Sequence, residues 1–310
     1  MRKIVATELL TVGEAFEDLV FLGLERLPNL GEEIRTSRFV RTSGGGAVIT
    51  AVAAARLGLR CAVWSGLGDE AVQRLERDGV VVHNLKRRSE APAISVALST
   101  SDNRTFVTYN GVNDLLEARL LAAAPRIRSQ HAHFAFFPSD CRLWIPVLER
   151  CRRRGITTSW DFGWNEALLA DPAFAALLHE IDLLLLNEQE ARLYSRRRTL
   201  PAALQFWRQS AHPVIVKLGA DGSRWISRHL DLHAPAPRTR VVDTTGAGDA
   251  FNGGFLYAFL RGQAPAAALR LGNRVGALST RAPGGLDGLP DAADLPRALL
   301  RAAHARNVLR

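Results

Sequence analysis

Cysteine is scarce in this chain: its 310 residues contain three, Cys61, Cys141 and Cys151, widely spaced and without a CxxC or histidine partner pattern. That argues against a disulfide framework or a structural zinc, and predicts reduced packing thiols in a cytoplasmic protein. Long apolar runs are missing as well. The longest, such as Leu183 to Leu186, fall far short of the roughly 20 residues a membrane span requires. Thr7 and Glu8 interrupt any signal-peptide core after Met1-Arg2-Lys3. No repeat of solenoid period, no low-complexity linker and no GxxxxGK(S/T) loop occurs, which argues against a P-loop enzyme. Lysine appears only at Lys3, Lys86 and Lys217, so the net charge of +9 is carried by arginine. Short runs such as Arg152-Arg153-Arg154 and Arg196-Arg197-Arg198 sit at the ends of apolar segments, and no finger, basic zipper or RNA-binding aromatic motif accompanies them. They read as a solvated surface, or as a field that attracts anions such as nucleotides. No specific nucleic-acid partner and no membrane partner is expected.

What is present is a soluble globular composition, 47% apolar and 23% charged. Leu9 to Val12, ending in Gly13, reads as a buried strand delivering a loop to a sheet edge. From Asp18 to Val40 the pieces Leu19-Val20-Phe21, Ile34-Arg35-Thr36 and Arg38-Phe39-Val40 read as hairpin-like strands. Ala93 to Leu98 and Thr105 to Tyr109, joined by Ser101-Asp102-Asn103, form a second such piece. Together the stretches of about 18–42 and 91–112 would make a small lid sheet on a single α/β domain spanning 1–310. Ala47 to Leu57 reads as a helix closed by Gly58, followed by strand Ala62–Trp64. Strands His133–Phe137, Thr157–Trp160, Leu183–Leu186 and Val214–Leu218 then alternate with helices Leu143–Arg153, Ala173–His179 and Ala202–Gln209. Such alternation predicts a mainly parallel sheet with helices on both faces. Ligands bind outside the carboxyl ends of such strands, at the loops beginning at Gly13, Asp161, Asn187 and Gly219.

The densest signal is Val241-Val242-Asp243-Thr244-Thr245-Gly246-Ala247-Gly248-Asp249-Ala250-Phe251. A glycine-rich turn leads into Phe251, Phe255, Leu256 and Phe259 at helical spacing, so the turn sits at a helix N-terminus. Unpaired N–H groups and the helix dipole there can hold a phosphoryl group. Asp249, in the first helical turn, is placed to take a proton from an attacking hydroxyl, although N-capping is a common role for such an aspartate. A dinucleotide turn of the GxGxxG kind is disfavoured because Phe251 stands at the third glycine position.

This string resembles the C-terminal motif of the ribokinase-like (PfkB) family of carbohydrate and nucleoside kinases. The resemblance extends over nearly the whole chain, since Gly44-Gly45 with Ala51 to Gly58 is similar to the family's N-terminal Gly-Gly motif and its helix. It implies a ribokinase-like α/β fold and transfer of the ATP γ-phosphoryl to a sugar hydroxyl with Mg²⁺. Asp249 would be the base, and Gly246, Ala247 and Gly248 the anion turn. Asp18, Gly44 and Gly45 would bind the acceptor. Asn187 and Glu190 would act around the phosphates and Mg²⁺, directly or through water. Lys217, Gly219, Gly222 and Asn273 would lie along the nucleotide, while Asp243 and Thr245 would serve a monovalent-cation site for K⁺. In isolation Asn187 is equally a turn residue, and Lys217 to Gly222 a hairpin turn.

The chain departs from the family at Phe16, Ile49 and Gly46, which removes polar ligands from one wall of the sugar pocket, and at Gly68-Asp69-Glu70, which a helix follows at once. Asn110, Asn113 and Arg104 are candidate replacements, or surface turn residues. The open alternatives are a nucleoside kinase, with Phe16 and Ile49 against a base, and a sugar- or nucleotide-binding regulator without turnover. Family resemblance also implies a homodimer through the lid.

Overall fold

The short apolar runs of this chain are strands buried on both faces, and the alternation of their side chains builds two cores. A computed structural model describes residues 7–100 and 104–300. Chain order runs β1 (Leu9–Gly13), β2 (Phe16–Leu24), β3 (Arg38–Gly44), α1 (Gly46–Arg56), β4 (Cys61–Ser65), α2 (Asp69–Arg77), β5 (Val81–Asn84), β6 (Ile94–Thr100), β7 (Arg104–Tyr109), α3 (Leu116–Ala123) and β8 (His131–Ala135). It continues through α4 (Ile145–Arg153), β9 (Thr157–Asp161), α5 (Phe174–Glu180), β10 (Leu183–Asn187), α6 (Glu188–Ser195), α7 (Leu200–Trp207), β11 (Val214–Lys217), β12 (Ser223–Ile226), β13 (Asp231–Ala234), α8 (Ala247–Leu260) and α9 (Pro265–Ser279). A nine-stranded sheet has the order β13-β12-β11-β10-β9-β8-β1-β4-β5, parallel except at β12 and β13. A separate four-stranded sheet has the order β3-β2-β6-β7.

Leu9, Val63, Leu183, Leu185 and Ile215 face one core, with α1, α2, α8 and α9. Leu10, Val12, Ala62, Leu184, Leu186, Val214 and Val216 face the other, with α3 to α7. A strand covered on both sides has no polar face to display, which is why these segments read as unbroken apolar runs. The second core centres on rings: Trp160 stacks on Phe134 at 4.7 Å and on Phe162 at 5.0 Å, and Trp144 meets it edge-on at 5.5 Å. The indole N–H of Trp160 donates to the Phe136 carbonyl at 2.7 Å, so its one polar atom is satisfied inside the core. In the first core, α8 carries Gly253 and Gly254 in its interior, at a cost in helix propensity. A Cβ on Gly253 would lie 2.5 Å from the Ala53 methyl, and one on Gly254 2.7 Å from Val275, so the pair lets α8 approach α1 and α9 closely.

Several expectations need correction. Ile34 to Thr36 is irregular, because the Thr36 hydroxyl donates to the Leu22 carbonyl at 2.6 Å and so ties the segment to β2 from its side chain. The strand expected at His133–Phe137 lies at His131–Ala135. Its pairing with β1 ends where β1 ends, at Gly13 opposite Ala135, and Phe136 and Phe137 follow outside the ladder. The helix expected from Ala202 begins at Leu200, because Thr199 caps it and Pro201 fits its first turn. The helix expected from Leu143 begins at Ile145, after a 3₁₀ turn over Cys141–Leu143. β5, α3, α6 and the β12–β13 pair have no counterpart in the expectation, being four to eight residues long and too short to establish a period. The expected turn Ser101-Asp102-Asn103 and the side chain of Arg104 lie outside the described residues. Trp160→Ala, which empties the middle of the ring cluster, is expected to lower unfolding stability by about 3–5 kcal/mol, measured as a shift in urea midpoint at unchanged m-value.

Candidate active site

The candidate site is built around the first turn of α8. Its N-cap, Gly246, has φ +70°, a backbone conformation that L side chains rarely adopt. That kink turns the chain into the helix from residues 241–244, which are irregular and not the strand end that the apolar Val241-Val242 pair suggests. Among the described residues the N–H groups of Gly246, Gly248 and Asp249 have no protein acceptor, whereas that of Ala247 donates to the Thr244 carbonyl at 3.2 Å. Three free donors at the positive end of a 14-residue helix form an anion site made of main chain. All of Gly246 to Asp249 keep partial exposure, so a ligand can reach them. Asp249 lies beside the start of α1: a Cβ placed on Gly46 would be 3.1 Å from its Oδ1. Burial, with the nearby Asp161 charge, pushes the Asp249 carboxyl up to about 7.

Lys217, the last residue of β11, brings a cation to the same turn. A Cβ on Gly248 would stand 3.4 Å from its ammonium. The ammonium is held by the Asp161 carboxylate at 2.6 Å and by Asn252 Oδ1 at 3.3 Å, and the Asn252 amide donates to the same Asp161 oxygen at 2.7 Å. The pair holds both charges: Asp161 is depressed by Lys217 despite its burial, and Lys217 is raised by Asp161, Glu190 and Asp249 despite its own. Asp161 and Asn252 are site residues that sequence reasoning missed. Asp161 was legible only as the start of a loop, and Asn252 reads as a helix-interior residue. Behind Asp161 a polar ladder runs back through the core. Ser159 Oγ lies 2.8 Å from His133 Nδ1 and 2.7 Å from His131 Nε2, and His131 Nδ1 lies 2.8 Å from Thr157 Oγ1. Burial holds both imidazoles neutral, pushing them to about 3 and about 4 respectively for His131 and His133.

Asn187 and Glu190 form a capping box at the start of α6. Asn187 Oδ1 accepts from the Glu190 N–H at 2.8 Å, and Glu190 accepts from the Asn187 N–H at 2.8 Å and its amide at 2.6 Å. Glu190 is 4% exposed, and burial together with the Asp161 charge pushes it up to about 7. Among the described residues no three His, Cys, Asp or Glu side chains converge to ligate a metal directly. Glu190, with donors on both oxygens and lone pairs to spare, suits contact with Mg²⁺ through water. Asp243 accepts from the Thr245 N–H at 2.7 Å and the Gly284 N–H at 2.9 Å, and so ties the anion turn to the 283–285 loop.

The acceptor side is formed where the small sheet joins the large one. Asp18 on β2 is packed over β3, since a Cβ on Gly44 would lie 2.0 Å from its Oδ2. Burial and the Asp243 charge push Asp18 up to about 7. Gly45, with φ +99°, is the N-cap of α1. Asp18 and Asp249 therefore approach opposite ends of Gly44-Gly45-Gly46, a triplet that spans at most about 7 Å, the size of one sugar ring. Asn113 joins them, donating from Nδ2 to the Ala15 carbonyl at 3.2 Å while its buried Oδ1 has no partner. Asn110 does not join them: it is exposed and its amide donates to Asp114 in its own turn at 3.0 Å. The backbone carbonyl of Glu14 lies against Gly45, and burial raises the Glu14 carboxyl. Ile49 is 2% exposed, and its methyl would meet a Cβ on Gly246 at 2.5 Å, so it supports the anion turn and is no wall residue.

On the nucleotide side, Gly219 and Gly222 flank a 3₁₀ turn after β11, with φ +60° and +96°. A Cβ on Gly222 would lie 2.0 Å from the Ala234 carbonyl. Asn273 on α9 donates from Nδ2 to that same carbonyl at 2.8 Å and to the Pro235 carbonyl at 3.3 Å, so its amide nitrogen shapes the loop after β13.

A two-sheet α/β fold whose late helix starts with unpaired N–H groups beside an aspartate is the architecture of a ribokinase-like kinase. The chain belongs to the pfkB family of carbohydrate kinases, whose model matches residues 6–292. It is thus a phosphotransferase with an alcohol group as acceptor. Among its relatives, mouse ribokinase is 27% identical over 95% of each chain. The 2-dehydro-3-deoxygluconokinase of Bacillus subtilis is 28% identical, covering 82% of this chain and 85% of its own. The solved structures of Arabidopsis thaliana ribokinase with ribose and ATP (TM-score 0.75, 23% identical, 96% of this chain and all of that one) and of Sinorhizobium meliloti adenosine kinase (TM-score 0.76, 22% identical, 93% and 98%) share the fold.

A carboxyl whose pKa is higher folded than unfolded binds more protons in the folded state between the two values, so its contribution to stability is lost as pH rises from about 4 to about 7. Asp249→Asn is therefore expected to stabilise the protein by on the order of 1–3 kcal/mol at pH 8 and to leave stability unchanged near pH 3.5. Denaturant titrations at the two pH values measure the difference.

Proposed function

We propose that the chain transfers the γ-phosphoryl group of ATP to a hydroxyl of a sugar, with Asp249 as the base that removes the hydroxyl proton. One observation carries the reading: Asp249, a residue that keeps partial exposure, belongs to the helix start whose three N–H groups are unpaired and beside which the Lys217 ammonium stands. The free N–H groups of Gly246, Gly248 and Asp249 would surround the transferring phosphoryl, Ala247 would hold the turn through its bond to the Thr244 carbonyl, and Lys217, already oriented by Asp161, would add charge on the phosphate side. Asp18, Gly44, Gly45 and Asn113 would hold the acceptor. Asn187, Gly219 and Gly222 would line the nucleotide path, with Asn273 acting through the loop it ties. Mg²⁺, reached through water from Glu190, supplies neutralisation of the phosphate charge when bound. Asp243 and Thr245 would support a K⁺ site next to the turn.

The chain is read as one α/β unit over 1–310 whose small sheet, about 18–42 and 91–112, closes over the acceptor as a lid and excludes water. The exposed Phe39, Phe106, Val107 and Tyr109 on that sheet would be covered in a homodimer. Among the described residues no helix is long and apolar enough to cross a membrane, which fits a cytoplasmic enzyme. The nucleoside alternative loses Ile49, buried under the anion turn, and keeps Phe16.

Asp249→Asn is expected to lower kcat by about 10²–10⁴-fold with ATP affinity nearly unchanged; turnover near wild type would remove Asp249 from the role of base. Because the base must be ionised, kcat/KM should fall tenfold per unit as pH drops below about 7, the value to which Asp249 is raised. An ATP-coupled panel of pentoses, ketohexoses, ketodeoxy sugar acids and nucleosides identifies the acceptor. Preference for nucleosides over every free sugar would overturn the sugar reading, and saturable binding without product would make the protein a regulator.

A further inference from the structure

The excess of arginine has no place in the catalytic crevice, whose cation is Lys217. Three arginines do converge elsewhere. A cavity of about 1120 Å³ opens against the outer part of the large sheet, beside β4, β5 and α3. Its floor is apolar, formed by Leu10, Ala62 and the largely buried Trp64, which His83 meets edge-on at 5.9 Å. Arg126, Arg128 and Arg154 line it, and no aspartate or glutamate among the described residues does. These three precede β8 and β9, so they stand at the amino ends of strands whose carboxyl ends reach the crevice. A five-residue strand is about 16 Å long, which separates this cavity from the anion turn.

The charges of this cluster are uncompensated. Arg128 Nη1 donates to the Pro125 and Ile127 carbonyls at 3.3 and 2.8 Å, and Arg154 Nη1 to the same two carbonyls at 3.0 and 3.5 Å. Two guanidinium groups are thus drawn onto one pair of oxygens with no carboxylate between them. Arg126 makes no hydrogen bond or ion pair with any described residue. The neighbouring arginines behave otherwise: Arg152 is paired with Glu180 and Arg153 with Glu149. Arg126, Arg128 and Arg154 thus gather around one concave site whose lining carries no carboxylate among the described residues. Ser129, also on the lining, has a buried hydroxyl oxygen with no partner.

We propose that this cavity is a second ligand site, which takes a phosphorylated small molecule with its phosphate on Arg126, Arg128 and Arg154 and its organic part over Leu10, Ala62 and Trp64. Guanidinium groups match phosphate oxygens in geometry as well as charge. The volume, about 1120 Å³ and so just above the roughly 300–1,000 Å³ of small-molecule sites, admits a body of nucleoside or hexose size. Both sources present the same chemistry, a dianionic phosphate on a compact organic group.

The test is calorimetric titration of the full chain with AMP and, separately, with glucose 6-phosphate, the catalytic crevice being kept saturated with a non-hydrolysable ATP analogue and Mg²⁺. One further equivalent of at least one of the two should bind, at least tenfold more weakly in Arg126→Ser and more weakly still in Arg126→Ser/Arg154→Ser, with kcat and the KM for ATP unchanged. Arg126 has no bond to lose, so Arg126→Ser tests the site without a folding penalty. The ¹⁵N-indole resonance of Trp64, assigned by Trp64→Phe, should move on titration. Tighter AMP marks a nucleotide site and tighter glucose 6-phosphate a sugar-phosphate site, and either supports the proposal. Absence of any further equivalent, equal affinity in wild type and both variants, or a Trp64 resonance that stays in place would overturn it.

Discussion

Three main-chain N–H groups left unpaired at the start of α8 are the constraint on which the rest of the site depends. Helix ends always leave such donors, and most proteins spend them on side-chain caps or water. Here Gly246 at φ +70° starts the helix without a capping side chain, and the residues that carry the free donors keep partial exposure. The turn is held from several sides. Asp243 fastens it to Gly284, Ile49 fills the space beneath Gly246, and the glycine pair in α8 lets α1 come close enough to bring Gly46 beside Asp249.

Charge in the crevice follows from that geometry. Asp249, Glu190, Asp161 and Asp18 are acids brought together by the fold, and Lys217 is the one cation among the residues described at their centre. Asp161 keeps its charge because Lys217 and Asn252 bond to it directly. Asp249 and Glu190 then feel Asp161 as a like charge in a poorly hydrated place, and both are pushed toward neutrality. The energy stored in that crowding costs stability, and it yields a carboxylate basic enough to accept a proton near neutral pH.

Much of this architecture was legible in the residues. The parallel sheet followed from short apolar runs alternating with helical patterns, and the helix-start turn from glycines placed just before a helical pattern. Asp18 was singled out only by the family resemblance. Asn110 and Asn113, by contrast, look alike in sequence, and only one reaches the site: Asn113 bonds to Ala15 across 98 residues, whereas Asn110 bonds within its own turn. Asp161 and Asn252 could not be singled out, since each gains its meaning from Lys217, 56 and 35 residues away.

By itself the sequence determined the local conformations that need few partners: glycine at a positive φ, an unpaired helix start, apolar strands of period two, and the family signature these features carry. Tertiary structure alone decided which polar groups meet. Whether Ile49 is a pocket wall or a prop, whether Asn273 faces a ligand or a backbone carbonyl, and whether three arginines repel in open solvent or gather in one cavity depend on distances across the sheet. Those distances are set by packing between elements remote in the chain, where a shift of an ångström or two decides whether a hydrogen bond forms, and no local pattern of residue types encodes them.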